Sequence, residues 1–145
     1  MTGSPVAPRT TVQVLQDLVA AEHAVVYGYG VAGARLNGAA RDRAQREWAW
    51  HRAARDDLET QVREGGGEPP GPAAAYALPV PAGTPDEARA LLALVEERLA
   101  AVWADAVADL TGDLRRQAVE GLTSAALAAA RWRRTTVPFP GLPER

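Results

Sequence analysis

The sequence contains no cysteine. That absence excludes disulfide frameworks, thiolate metal sites and cysteine nucleophiles, and it leaves the redox compartment open. Lysine is missing as well, so all sixteen basic residues are arginine, a pattern read as coding bias towards GC-rich codons. Charge of either sign is close to balanced, with a formal net charge of −2 and arginines interleaved among 18 acidic residues. No basic face suited to phosphate emerges from this pattern, so nucleic acid is not an expected partner. Residues 1–5 show neither a basic n-region leading into an apolar stretch nor a lipobox-like cysteine, and a cytoplasmic location is the expectation. The most apolar run, Leu18 to Ala34, is interrupted by Glu22 and His23 and holds several glycines. It therefore reads as a helix packed on most of its circumference and not as a membrane span. A phosphate loop, a zinc-finger spacing and a Ser-His-Asp arrangement are all missing, and Gly28 to Gly33, which match the dinucleotide fingerprint in form, lie inside a helix where that motif has no function.

At 145 residues, one hydrophobic core can be buried without staples, so one all-α domain over 1–145 is expected. Residues 1–9 form a loose arm. Helix 1 opens with Thr10 and Gln13 in capping-box spacing, and its inward stripe is Leu15, Leu18, Glu22, Val25, Tyr29, Ala32 and Leu36, ending at Asn37-Gly38. Gly30, Gly33 and Ala34 are expected to let another helix approach closely. Helix 2 covers about 40 to 64, with Ala40, Ala44, Glu47, His51, Ala54 and Leu58 inward. Asp42/Arg46, Arg52/Asp56 and Arg55/Glu59 lie at the four-residue spacing that pairs charges on a solvated face.

Residues 65–83 carry Pro69, Pro70, Pro72, Pro79 and Pro81 and have no helical period. Extended, such a segment reaches roughly 55–60 Å at about 3.1 Å per residue. A helix of about 25 residues is only about 37 Å long. The segment can run the length of a bundle, and the spacing predicts a long crossover that sets helices 2 and 3 parallel. Helix 3 starts at Thr84-Pro85-Asp86-Glu87, an N-cap hydroxyl, a first-turn proline and a capping-box glutamate. Its inward face is Leu92, Val95, Leu99, Val102 and Ala106, with Glu96 and Trp103 flanking it. Asp113 is the expected cap of helix 4, which runs from Leu114 to about Arg134 with Leu114, Ala118, Leu122, Ala125, Ala129 and Trp132 inward. The tail, 135–145, is proline-spaced and apolar enough to lie on the bundle.

The chemically informative residues are polar groups on greasy faces. An unpaired carboxylate at Glu22 would be protonated or cost several kcal/mol, so it requires a partner. Glu47 and His51, one turn apart, project in one direction and can hold one ion together. Glu96 is a fourth candidate at the edge of its stripe. His23 is expected to meet the connector or a second subunit, and Trp48 and Trp50 to serve packing or a dimer interface.

At these positions the sequence resembles the ferritin-like di-iron and di-manganese bundles, which place one Glu on each of two helices and a Glu-x-x-His pair on each of the others. The resemblance implies metal ligands at Glu22, Glu47, His51 and Glu96. It is partial, because the spacing here is Glu-x-x-x-His and helix 4 offers no inward Glu or His. A second resemblance covers nearly the whole chain. Ala20-Ala21-Glu22-His23-Ala24-Val25-Val26-Tyr27-Gly28-Tyr29-Gly30, His51-Arg52-Ala53-Ala54-Arg55-Asp56, Pro69-Pro70 through Ala74-Ala75-Tyr76-Ala77-Leu78-Pro79, and Pro138-Phe139-Pro140-Gly141-Leu142-Pro143 are similar to the bacterial ferritin-like domain of unknown function 4439. It implies a ferritin-like four-helix bundle and names no activity. The expectation is thus a non-catalytic structural or partner-binding bundle with a degenerate metal site and no cofactor, a homodimer through the aromatic and small-residue surfaces of helices 1 and 2. Glu22 would then pair with His51 or accept a hydrogen bond from Tyr29. The alternative is a metal-dependent redox protein using iron or manganese.

Overall fold

A computed structural model describes residues 3–133, and the tail expected at 135–145 lies outside the described residues. Four helices and no strand occur among them: α1 (Thr11–Gly33), α2 (Gly38–Glu64), α3 (Pro85–Asp109) and α4 (Gly112–Arg133). None of these helices is long and apolar enough to cross a membrane.

The helix starts follow local chemistry. At α1 the Thr10 hydroxyl accepts from the Gln13 amide at 3.1 Å while the Gln13 side chain accepts from the Thr10 N–H at 2.8 Å. Thr84 and Glu87 repeat the arrangement at α3, with Pro85 in the first turn. Both boxes satisfy backbone donors that the helix itself leaves unpaired. Two boundaries differ from expectation. α1 stops at Gly33, and Asn37-Gly38 opens α2 instead of closing α1, since Gly38 adopts φ +54 as the turn between the two helices. Likewise α4 begins at Gly112, φ +58, which places Asp113 inside its first turn rather than at its cap.

α1 packs on α2 and α3, and α3 packs on α4. Tyr29, late in α1, meets Glu47 and Glu96, whereas Val12 faces Gly65 and Gly67 and Arg9 pairs with Asp109. α2 and α3 therefore both run opposite to α1. The segment between them touches α1 in ascending order: Gln16 donates to the Glu68 carbonyl at 2.8 Å, His23 lies 3.1 Å from the Pro70 carbonyl, and the Tyr27 and Tyr76 rings sit 5.2 Å apart. His23 thus meets the connector, as its sequence position suggested.

The expected stripe of α1 is buried throughout, as are Ala44, His51 and Leu58 of α2. Glu96 and Trp103 are not flanking residues but buried members of the α3 core face. Their inclusion follows from α4, which closes over a side of α3 that a single stripe does not cover. Of the three charge pairs on α2, Arg55 and Glu59 approach at 4.0 Å. Arg52 instead lies over the Trp48 ring at 4.5 Å, where ring and cation attract, and Arg46 forms no ion pair among the described residues.

The small residues that allow close approach are also not those expected. Gly30 and Gly33 face open space, while a Cβ at Gly28 would sit 3.2 Å from Val95 and one at Gly121 would fall 2.4 Å from the Trp103 ring. Gly121→Ala is expected to destabilise by about 1–3 kcal/mol through overpacking, although alanine is the better helix former. Gly30→Ala, free of neighbours, should instead gain about 0.5–1 kcal/mol. Urea midpoints of the two variants provide the comparison.

Candidate functional site

The four helices converge on a buried polar chain. Glu22 and Tyr29 stand two turns apart on α1, Glu47 and His51 one turn apart on α2, Glu96 comes from α3 and Trp132 from α4. All four residues singled out as ligands are brought together. His51 is the centre: its Nδ1 lies 2.8 Å from Glu22 Oε2 and its Nε2 lies 2.8 Å from Glu96 Oε1. Glu22 and Glu96 are fully buried and His51 nearly so.

Tyr29 links this triad to Glu47. Its hydroxyl is 2.6 Å from both Glu96 Oε1 and Glu47 Oε2, so its single hydrogen can be donated to either carboxylate. The indole N–H of Trp132 points into the same place, 2.9 Å from the Tyr29 oxygen and 2.8 Å from Glu47 Oε2. Arg43 closes the outer end by donating from Nε to Glu47 at 3.0 Å while its guanidinium covers the Trp132 ring at 4.7 Å. Of the two partners expected for Glu22, His51 is the one it meets, and Tyr29 donates instead to Glu47 or Glu96. Trp132 was legible only as a core residue, because its role depends on the other helices. A phenol and an indole on apolar stripes are the signal available in sequence, since both need a polar partner when buried.

The electrostatics follow from burial set against pairing. Burial would lower the His51 pKa, but hydrogen bonds to Glu22 and Glu96, reinforced by their charges, outweigh it and push it up to about 10 from 6.5. His51 is therefore an imidazolium at neutral pH, donating from both nitrogens. Burial also raises Glu22, and the His51 bond only partly offsets that. Tyr29 is held well above its ordinary value by burial and by the neighbouring Glu96 and Glu47 charges. Burial pushes Glu47 up, yet bonds from Tyr29, Arg43 and Trp132 leave it below the usual carboxylate value. The phenol is thus a donor and Glu47 an acceptor. Two oxygens, Glu22 Oε1 and Glu96 Oε2, have no hydrogen-bond partner among the described residues.

As a metal centre the donor set is short. A ligating imidazole must offer a bare lone pair, and both ring nitrogens of His51 are engaged with carboxylates. α4 places Ala125, Ala128, Ala129 and Trp132 on the buried face where further ligands would stand. Among the described residues no group of three or more His, Asp or Glu is set to hold an ion. These residues do not fit a di-metal site.

No curated protein matches the chain. A solved structure titled as a conserved hypothetical protein, rv2844, from Mycobacterium tuberculosis is similar to it at 33% identity and a TM-score of 0.80, covering 83% of this chain and 92% of that one. The profile of a family described as a domain of unknown function, DUF4439, matches residues 14–144, which takes in every residue of the buried polar chain. By that match the chain belongs to the DUF4439 family.

Proposed function

We propose that the protein is a non-catalytic, single-domain ferritin-like bundle in which α2 and α3 are joined by a long crossover, and in which an internal ion network stands at the place of a metal centre. Its role is structural or partner-binding, as a cytoplasmic homodimer. The observation that carries this reading is the double engagement of His51, whose protonated ring neutralises buried carboxylates as a cation would. The ascending contacts of residues 68–76 with α1 support the crossover. Gly30 and Gly33, facing open space beside the partly exposed Tyr27, support an α1 surface available to a second copy.

A second reading has one observation in its favour. The unpartnered Glu22 Oε1 and Glu96 Oε2 are acceptors that a single iron or manganese ion would satisfy, with Glu22, Glu47, His51 and Glu96 as ligands. For that, His51 must lose a proton and one carboxylate bond, and the four side chains must close on a common point that they do not share in this arrangement.

Elemental analysis of protein purified without chelator separates the two, with Glu22→Ala and His51→Ala measured alongside. The expected result is metal well below stoichiometry and a melting temperature indifferent to chelator. Stoichiometric iron or manganese that vanishes in both variants would replace the first reading by the second. Molecular mass in solution tests the dimer, and a monomeric mass would remove that part.

A further inference from the structure

α2 and α4 are neighbours without close backbone approach, bridged by side chains such as Gln61 and Gln117 at 3.0 Å. The open side between them holds a cleft of about 370 Å3. That volume falls in the range that encloses small organic ligands. We propose that the cleft binds a small aryl carboxylic acid bearing a hydroxyl or amine at its far end. This goes beyond the role of the ion network and does not require a metal.

The lining separates into a body and two ends. Trp50 and Leu127 face the cleft from α2 and α4, and both are about half exposed, a wet apolar pair of the kind that marks a contact surface. Gly121, Ala125 and Ala128 make the α4 wall shallow, so a flat ring can lie between it and the indole. At the mouth stand Arg46, which has no ion-pair partner among the described residues, and Arg131, whose guanidinium is only 3.7 Å from Glu47 and half exposed. Arg131 is thus spoken for by Glu47, which also lines the cleft, whereas Arg46 is left to a carboxylate brought by a ligand, which arginine grips in a fork.

The floor has the opposite demand. Glu96 lines it, is fully buried, and its Oε2 has no hydrogen-bond partner among the described residues. A buried acceptor left unpaired is costly, so an O–H or N–H delivered to it is favourable. A plain cation would meet Arg46 on entry, and a plain anion would find the His51 charge already engaged by Glu22 and Glu96, whose free Oε2 offers only an acceptor. A ligand with an acid at one end and a donor at the other satisfies both. The adjoining cleft of about 240 Å3, which shares Trp50, Gly121 and Ser124, carries Asp57 and Glu120 and would repel the acid, which fixes the ligand's direction towards Arg46.

The test uses para-hydroxyphenylacetate as probe, titrated into the full chain with chelator present and followed by calorimetry and the indole N–H signal of Trp50. A ligand of this size is expected to bind with a Kd on the order of 1 mM. Phenylacetate, lacking the donor, and para-ethylphenol, lacking the acid, should each bind about tenfold more weakly. Arg46→Ala should weaken the probe about fivefold, and Arg41→Ala, an exposed arginine off the cleft, should leave it unchanged. Because the probe series is measured on unaltered protein, the outcome does not depend on any variant folding. Absence of saturable binding, equal affinity for the three compounds, or binding that appears only after iron or manganese is added would each overturn the proposal. Each of these outcomes is read separately from the elemental analysis, so failure here leaves the reading of the ion network standing.

Discussion

His51→Ala is expected to lower the unfolding free energy by about 3–5 kcal/mol, because it leaves Glu22 and Glu96 buried without the cation between them. For a chain of this length that corresponds to a melting temperature lower by about 10 °C or more. The loss should be smaller in mild acid, since Glu22 is already raised by burial and takes up a proton readily once its partner is gone. Breaking the network and replacing it are different experiments. Substituting Glu22→Met, His51→Leu and Glu96→Met together removes every buried charge of the triad, and stability is expected to return to near the parent value or above it. Thermal melts of the single and triple variants decide the matter. A single variant as stable as the parent would show that His51 carries no charge in the folded protein.

Stability of the parent protein is expected to fall on the alkaline side. The folded pKa of His51, about 10, lies above the unfolded value of 6.5, so folding takes up a proton between those two values. Its contribution is complete below about pH 6.5 and is lost as pH rises towards 10. Glu22, also raised in the folded state, works in the same direction in its own lower range. The linked free energy at His51 is on the order of several kcal/mol, since every tenfold gain in proton affinity on folding corresponds to about 1.4 kcal/mol. Urea unfolding at pH 6, 8 and 10 should show a falling midpoint in the parent. The slope should be largely absent in the triple variant. A parent midpoint that is flat or rising across this interval would contradict a buried imidazolium.

Much of the helical architecture was visible along the chain. The capping boxes at Thr10 and Thr84 act between residues three apart, so their signal is complete within one turn. The α1 stripe was legible for the same reason, since burial repeats at the helical period. The Asn37-Gly38 pair is ambiguous in sequence, because a glycine with positive φ serves equally to end one helix or to begin the next. Which of the two occurs depends on where Leu36 is buried, and Leu36 lies in the core after α1 has ended.

The ion network divides in the same way. Four ionisable groups on apolar stripes, Glu22, Glu47, His51 and Glu96, are a property of the sequence, because a charge on a buried face needs a partner wherever it is found. The sequence therefore determined that these groups must meet. What they form was decided by the tertiary structure: His51 between two carboxylates, Tyr29 between Glu47 and the Glu96 oxygen that His51 also meets, and Trp132 reaching in from α4. Glu96 looked peripheral until α4 covered its side of α3, and Gly121 looked incidental until the Trp103 ring lay against it. Helical period reports the direction a side chain takes from its own axis. The distance to groups on other axes is set by how four helices pack, and protonation and pairing in a buried cluster depend on that distance.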